Sequence, residues 1–305
     1  MPYFRINAKI SIFYLDEGPR DTGRPVVLLI PGLTCDVHDW SWQVPSLLEL
    51  GLRVISIDPR GQGKSSNPRP TPGVMSWPGA DAFKAHHGRI VDYYPQTTAH
   101  DAAALLRELG IRQIIIISHS LGDLAAYYLA AVARPGLVKA IVAFDPVHRW
   151  TNADRESNKS FFSQPEDIVA KFMGLVPSIC PANMPPWQAA WFRRRAMEMD
   201  PEVLWAQCWG GWGDKQALGR MENAVEAYGG KLRCPRLVFV SSEAGAKVDR
   251  DVLPGGSDVD EVVLIDGAGH WFHQVRDREV NSKLVEWLQR AGALKSVNGD
   301  ARNGA

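Results

Sequence analysis

Residues 114–123 read IIIISHSLGD, and few folds can accommodate that run. Four successive isoleucines are stiff at χ1 and suit a strand that is buried on both faces. The alanine- and leucine-rich stretch Leu121–Val132 reads instead as a helix. A strand that turns sharply into a helix at one serine is the pattern of a nucleophile elbow. Here Ser118-His119-Ser120-Leu121-Gly122 stands where such turns usually read G-x-S-x-G. The turn lifts the Ser120 side chain onto the tip of a parallel sheet. Only small residues fit two positions before and after it, because strand and helix pass close together. Gly122 meets that demand, and Ser118 is a small substitute for the usual glycine. The bland alternative is a buried strand and a serine-capped helix without chemistry, and the partners found elsewhere in the chain weigh against it.

Around this element, short apolar runs alternate with helical segments. Strands are predicted at 10–15, 25–30, 52–57 and 114–117, then at Val138–Phe144, Arg236–Val240 and 261–265, with a closing helix at 279–290. Continuously apolar strands separated by helices imply an α/β fold, a mostly parallel central sheet flanked by helices. Two segments break the rhythm. Residues 67–97, rich in proline and glycine and carrying His86, His87, Tyr93 and Tyr94, are long for a plain connection and read as a functional loop. Residues 148–225 separate two core strands with helical sequence that includes Trp150, Trp187, Trp191, Trp205, Trp209 and Trp212. That segment reads as an inserted helical cap. Residues 1–147 and 226–293 then form the core, and 294–305, small and polar, a disordered tail. For any single tryptophan, cap-to-core packing is the simpler role. Their concentration still points to an aromatic-lined cavity, with Trp150, Trp187, Trp191, Trp209, Trp212, Trp271 and His38 as candidate walls.

Composition narrows the partners. Lys+Arg and Asp+Glu are both 34, a formal net charge of zero, which offers nothing to a polyanion such as nucleic acid. The Arg193-Arg194-Arg195 run reads as a solvated helix face. Four scattered cysteines, no CxxC pair, no apolar leader in MPYFRINAKI and no 18-residue apolar stretch fit a reduced, cytoplasmic protein without a membrane span. The histidines are dispersed and no dinucleotide fingerprint or P-loop occurs, so neither a metal nor an organic cofactor is implied. A homodimer is compatible with this composition.

A serine hydroxyl becomes a nucleophile only when a base takes its proton, and the base needs an orienting partner. The candidate base is His270, in DGAGHWF after the last strand, with His273 as its near competitor. The candidate oxyanion donors are the amides of Leu121, directly after the nucleophile, and Leu33, in Pro31-Gly32-Leu33-Thr34. The acid is less sharply marked. Asp145, at the end of a core strand in FDPVHRW, is favoured over Glu243 in SSEAGAKVD, with Asp249 further out. Asp145 and Glu243 both keep the chain order Ser, acid, His.

PGLTCDVHDW, DPRGQGKSS, SHSLGD and DGAGHWF, in that order, make the chain similar to the α/β-hydrolase superfamily up to about residue 290. In that resemblance DPRGQGKSS is the turn after the second parallel strand, and a structural role is expected for it. Several details resemble one branch, the cofactor-free dioxygenases that cleave 3-hydroxy-4-quinolones. These are Pro-Gly in the oxyanion loop, Ser-His-Ser at the elbow, and an acid after the earlier strand. That branch carries histidine where Leu121 stands, and tryptophan and histidine where Leu33 and Cys35 stand. The resemblance implies a serine hydrolase acting on an ester, lactone or activated carbonyl of an apolar or aromatic small molecule. The alternative is a dioxygenase that uses His270 to deprotonate a hydroxy-heteroaromatic ring. A ligand receptor on the same scaffold is the non-enzymatic reading. Epoxide hydrolases and haloalkane dehalogenases would need aspartate where Ser120 stands.

Overall fold

The computed structural model describes residues 2–67, 90–162, 167–181, 184–251 and 255–295. His86, His87 and most of the 67–97 loop lie outside them, as does the tail beyond Lys295. The eight strands are β1 (Tyr3–Arg5), β2 (Ser11–Glu17), β3 (Val26–Ile30), β4 (Val54–Ile57), β5 (Ile114–His119), β6 (Val138–Phe144), β7 (Arg236–Val240) and β8 (Glu261–Leu264). They form one sheet in the order β1-β2-β4-β3-β5-β6-β7-β8. The pairs β1/β2 and β2/β4 are antiparallel, and every later pair is parallel. The edge strand β1 has no counterpart in the sequence reading, because three partly polar residues carry no periodic signal.

Alternation along the central strands builds two cores. Val27, Leu29, Ile115 and Ile117 pack on one face with Val280, Leu284, Trp287 and Leu288 of the closing helix Asp277–Arg290. Leu28, Ile30, Ile114 and Ile116 face the helices Pro95–Glu108 and Leu121–Val132. Both faces of β3 and β5 are thus covered, which is why their sequences are apolar without interruption. Between β6 and β7 the chain is helical: Asn152–Ser157, Ile168–Ile179, Pro186–Glu198, Pro201–Cys208 and Met221–Tyr228, with a π-helical turn at Trp209–Gly213. Phe162, Phe172, Phe192 and Trp205 of this segment join Leu33, Leu121 and Trp271 in a third core over the strand ends. No helix among the described residues is long and apolar enough to cross a membrane.

The Arg193-Arg194-Arg195 run is not uniformly solvated. Arg193 and Arg194 are exposed, whereas Arg195 turns inward to ion-pair with Asp36 at 2.8 Å and donate to the Thr34 carbonyl at 3.0 Å. One arginine of the three therefore fastens the helix Pro186–Glu198 to the loop after β3.

At the elbow, a Cβ added to Gly122 would stand 2.5 Å from the carbonyl oxygens of both Ile30 and Pro31. Backbone on the opposite strand cannot step aside as a flexible side chain would. Gly122→Ala is therefore expected to destabilise the protein by about 1–3 kcal/mol, read as a lower urea midpoint at unchanged m-value.

Candidate active site

The sheet register delivers the site. The Ser120 amide donates to Phe144 O at 3.0 Å, and the Asp145 amide to Phe239 O at 2.7 Å, extending the parallel ladder one residue past β5 and β6. Ser120 and Asp145 consequently stand side by side at adjacent strand ends. Both are left-handed, with φ of 56° and 52°, and Thr34 in the loop after β3 shares the feature at 64°. These are the only non-glycine residues with positive φ among the described residues. Strain of this kind, about 1–3 kcal/mol each, collects where side chains must be aimed rather than packed.

His270 reaches the pair from the loop after β8. Its Nδ1 donates to Asp145 Oδ2 at 2.5 Å, which leaves Nε2 as the basic nitrogen. The loop is pinned twice, by the His270 amide on Ile179 O at 2.8 Å and by His119 Nε2 on His270 O at 3.0 Å. Ser120, Asp145 and His270 line one cavity of about 670 Å³. Asp145 Oδ1 also accepts from the Ser241 amide at 3.0 Å and Arg149 Nη2 at 2.9 Å, and Oδ2 from the Ser241 hydroxyl at 2.8 Å. Burial opposes ionisation of this carboxyl. The hydrogen bond and charge of His270, then Arg149 and the Ser241 amide, outweigh it and hold the group below the usual carboxylate range.

The other acids do not reach His270. Glu243 opens the helix Glu243–Asp251; its side chain is 76% exposed and pairs at the surface with Arg250. Asp249 is buried on the inner face of that helix, 3.3 Å from His148 and 3.5 Å from Arg236. His273 is also buried, stacked on Phe144 at 5.3 Å, and burial, with the charge of His270, pushes it down to about 3.

The loop after β3 is held open by side chains from outside it. Gln62, in the turn read as structural, donates to Gly32 O at 2.9 Å and Cys35 O at 2.5 Å, while Arg195 takes Thr34 O. The Leu33 amide makes no backbone hydrogen bond among the described residues. The Leu121 amide is the first of the helix Leu121–Val132 and belongs to the turn whose N–H groups lack intrahelical acceptors.

Of the candidate wall residues, Trp150, Trp212 and Trp271 line the cavity together with Leu33, Phe161, Phe162 and Phe172. The other four do not. Trp187 is 45% exposed and stacks on Trp42. Trp191 lies under the Arg195 guanidinium and edge-on to Trp271, and Trp209 stacks on Trp205 at 5.2 Å. His38 pairs with Asp36 on the wall of a separate, polar cleft. The tertiary placement of each side chain decides these outcomes, and tryptophan count alone could not. Ser241 and Arg149 were missed; the one available signal was the position of Ser241 directly after β7. Among the described residues no group of three or more His, Cys, Asp or Glu side chains could hold a metal ion.

Known proteins extend this picture. Residues 25–174 match the family model described as alpha/beta hydrolase fold. A bifunctional esterase/perhydrolase from Acinetobacter calcoaceticus is 32% identical over 143 residues, 47% of this chain and 44% of that protein. The chain thus spans less than half the length of that relative. Epoxide hydrolase A from Mycobacterium tuberculosis is 25% identical over 317 residues, covering 88% of this chain and 91% of its own. The enol-lactonase from Burkholderia xenovorans LB400 shares the fold, with a TM-score of 0.68 at 18% identity over 94% of this chain and 100% of that chain.

Asp123, beneath the elbow, is buried and bonded by Ser118 Oγ at 2.5 Å. Burial pushes its carboxyl well above the usual range, against that hydrogen bond. A raised carboxyl favours the folded state below its unfolded value near 4, and that contribution is lost as pH rises toward its folded value. Asp123→Asn should therefore flatten the decline of Tm above pH 4 and be more stable than the parent at pH 8, as thermal melts across pH would show.

Proposed function

We infer, for a chain with the α/β-hydrolase fold, a serine-type hydrolase that cleaves an ester, lactone or similar activated carbonyl of an apolar or aromatic small molecule. The observation that supports it most is the 2.5 Å bond from His270 to Asp145, with Ser120 on the wall of the same cavity. In this reading Ser120 Oγ attacks the carbonyl carbon while His270 Nε2 takes its proton. The ionised Asp145 stabilises the imidazolium that forms. The amides of Leu33 and Leu121 receive the oxyanion. Collapse of the tetrahedral species expels the leaving group with the proton from His270. Water then repeats the sequence on the acyl-serine and frees the enzyme. The aromatic side chains Trp150, Phe161, Phe162, Phe172, Trp212 and Trp271 suit a ring or apolar chain on the substrate. The esterase/perhydrolase and the enol-lactonase named above are enzymes of related chemistry by their own descriptions.

A second reading is favoured by one observation. The acid that meets His270 follows β6, a position shared with the cofactor-free quinolone dioxygenases. There the same base would deprotonate a hydroxy-heteroaromatic ring and Ser120 would only hydrogen-bond the substrate. Oxygen uptake and carbon monoxide release with 3-hydroxy-4-quinolones support that reading, and their absence removes it.

For the hydrolase, Ser120→Ala is expected to lower kcat on p-nitrophenyl esters by on the order of 10³-fold or more. A variant as fast as the parent contradicts the assignment. Asp145→Asn should cost about 10⁴-fold, whereas Glu243→Gln, on the exposed face of its helix, should leave kcat/KM at the parent value. Steady-state kinetics on the three purified variants check all of these outcomes.

A further inference from the structure

Arg149 follows Asp145 by four residues and returns its guanidinium to it, on the carboxylate oxygen that His270 does not use. The place it occupies is specific. A Cβ at Gly245, on the helix Glu243–Asp251, would stand 2.5 Å from the guanidinium carbon and from Nη2. The helix thus leaves a hollow at Gly245 that seats the cation against the acid. Arg149 is also the one Lys or Arg among the described residues lining the cavity.

We propose that Arg149 is a positioning residue that sets, through Asp145, the pH at which His270 gives up its proton, an inference that rests on His270 being the base. The physical reason is charge sharing. A carboxylate that neutralises one cation supports a second less strongly, so the imidazolium is less favoured than beside an unshared aspartate.

The other groups facing the pair leave this role to Arg149. His119, at the end of β5, and His273, after the His270 loop, are both pushed toward the neutral form by burial and by the charge of His270. Asp123, from the helix after the elbow, is pushed toward its neutral form by burial, against the hydrogen bond from Ser118. Asp266 on the cavity wall is exposed, and Asp249, inside the helix that carries Gly245, faces His148 and Arg236. Ser241 contributes neutral donors only.

The test is an NMR titration of the His270 Cε1–H signal, assigned with His270→Gln, together with the pH profile of kcat/KM on a p-nitrophenyl ester. Both use the full chain as parent, Arg149→Met, Arg149→Lys and Gly245→Ala. The His270 titration is expected to move up by roughly half to one pH unit in Arg149→Met and in Gly245→Ala. In Arg149→Lys it should lie close to the parent. The acid limb of kcat/KM should move with it. Gly245→Ala displaces the guanidinium without altering any charge, so it decides the matter if Arg149→Met fails to fold. An unmoved His270 titration in the folded variants overturns the proposal, as does an equal shift in Arg149→Lys. Failure of the hydrolase reading looks different: His270 still titrates as described, but Ser120→Ala keeps the parent rate or no ester is turned over.

Discussion

The carbonyl oxygens of Ile30 and Pro31 lie where a side chain on residue 122 would have to be, and the rest of the site depends on that closeness. Because the helix Leu121–Val132 starts against the end of β3, the chain must reverse within a single residue after β5. Ser120 absorbs the reversal with a φ of 56°. The helix then starts beneath the serine, with its first amides directed toward the same space. The ladder bond from the Ser120 amide to Phe144 fixes the height of the turn relative to β6. One steric constraint on a glycine therefore sets the height, direction and neighbours of the nucleophile candidate.

The acid shows how a sheet edge can redistribute a function among its strands. Ser241 directly follows β7. Here it donates both its amide and its hydroxyl to Asp145, one strand away. Asp145 needs the help. It is almost wholly buried, and an isolated carboxylate in that position would be protonated rather than charged. Four donors, from Ser241, Arg149 and His270, allow it to remain ionised. A left-handed backbone at Asp145 is the accompanying cost.

Much of this was legible in the sequence, unevenly so. The buried strands announced themselves through short, largely apolar runs, and Leu121–Val132, Val138–Phe144 and Arg236–Val240 have the predicted bounds. Small residues at 118 and 122 marked the elbow because sterics leave few alternatives there. The acid was harder, since Asp145 and Glu243 satisfy the same chain order. What separates them is that Glu243 begins a helix and points to solvent, a matter of local phase rather than composition. Cavity walls were harder still. Trp150 and Trp212 face the cavity while Trp187 and Trp209 do not, and no spacing rule distinguishes them. Arg149 and Arg195 illustrate the same limit. Arginines are ordinarily solvated, and only the fold brings these two onto Asp145 and the loop after β3.

The proposed hydrolysis requires Ser120 to form a covalent bond, activated by the hydrogen-bond network of Asp145 and His270. Labelling the folded protein with a fluorophosphonate, followed by peptide mapping by mass spectrometry, tests this directly. One adduct per chain, carried by Ser120, is expected. An unlabelled folded protein, or an adduct on a different residue with Ser120 intact, would contradict it.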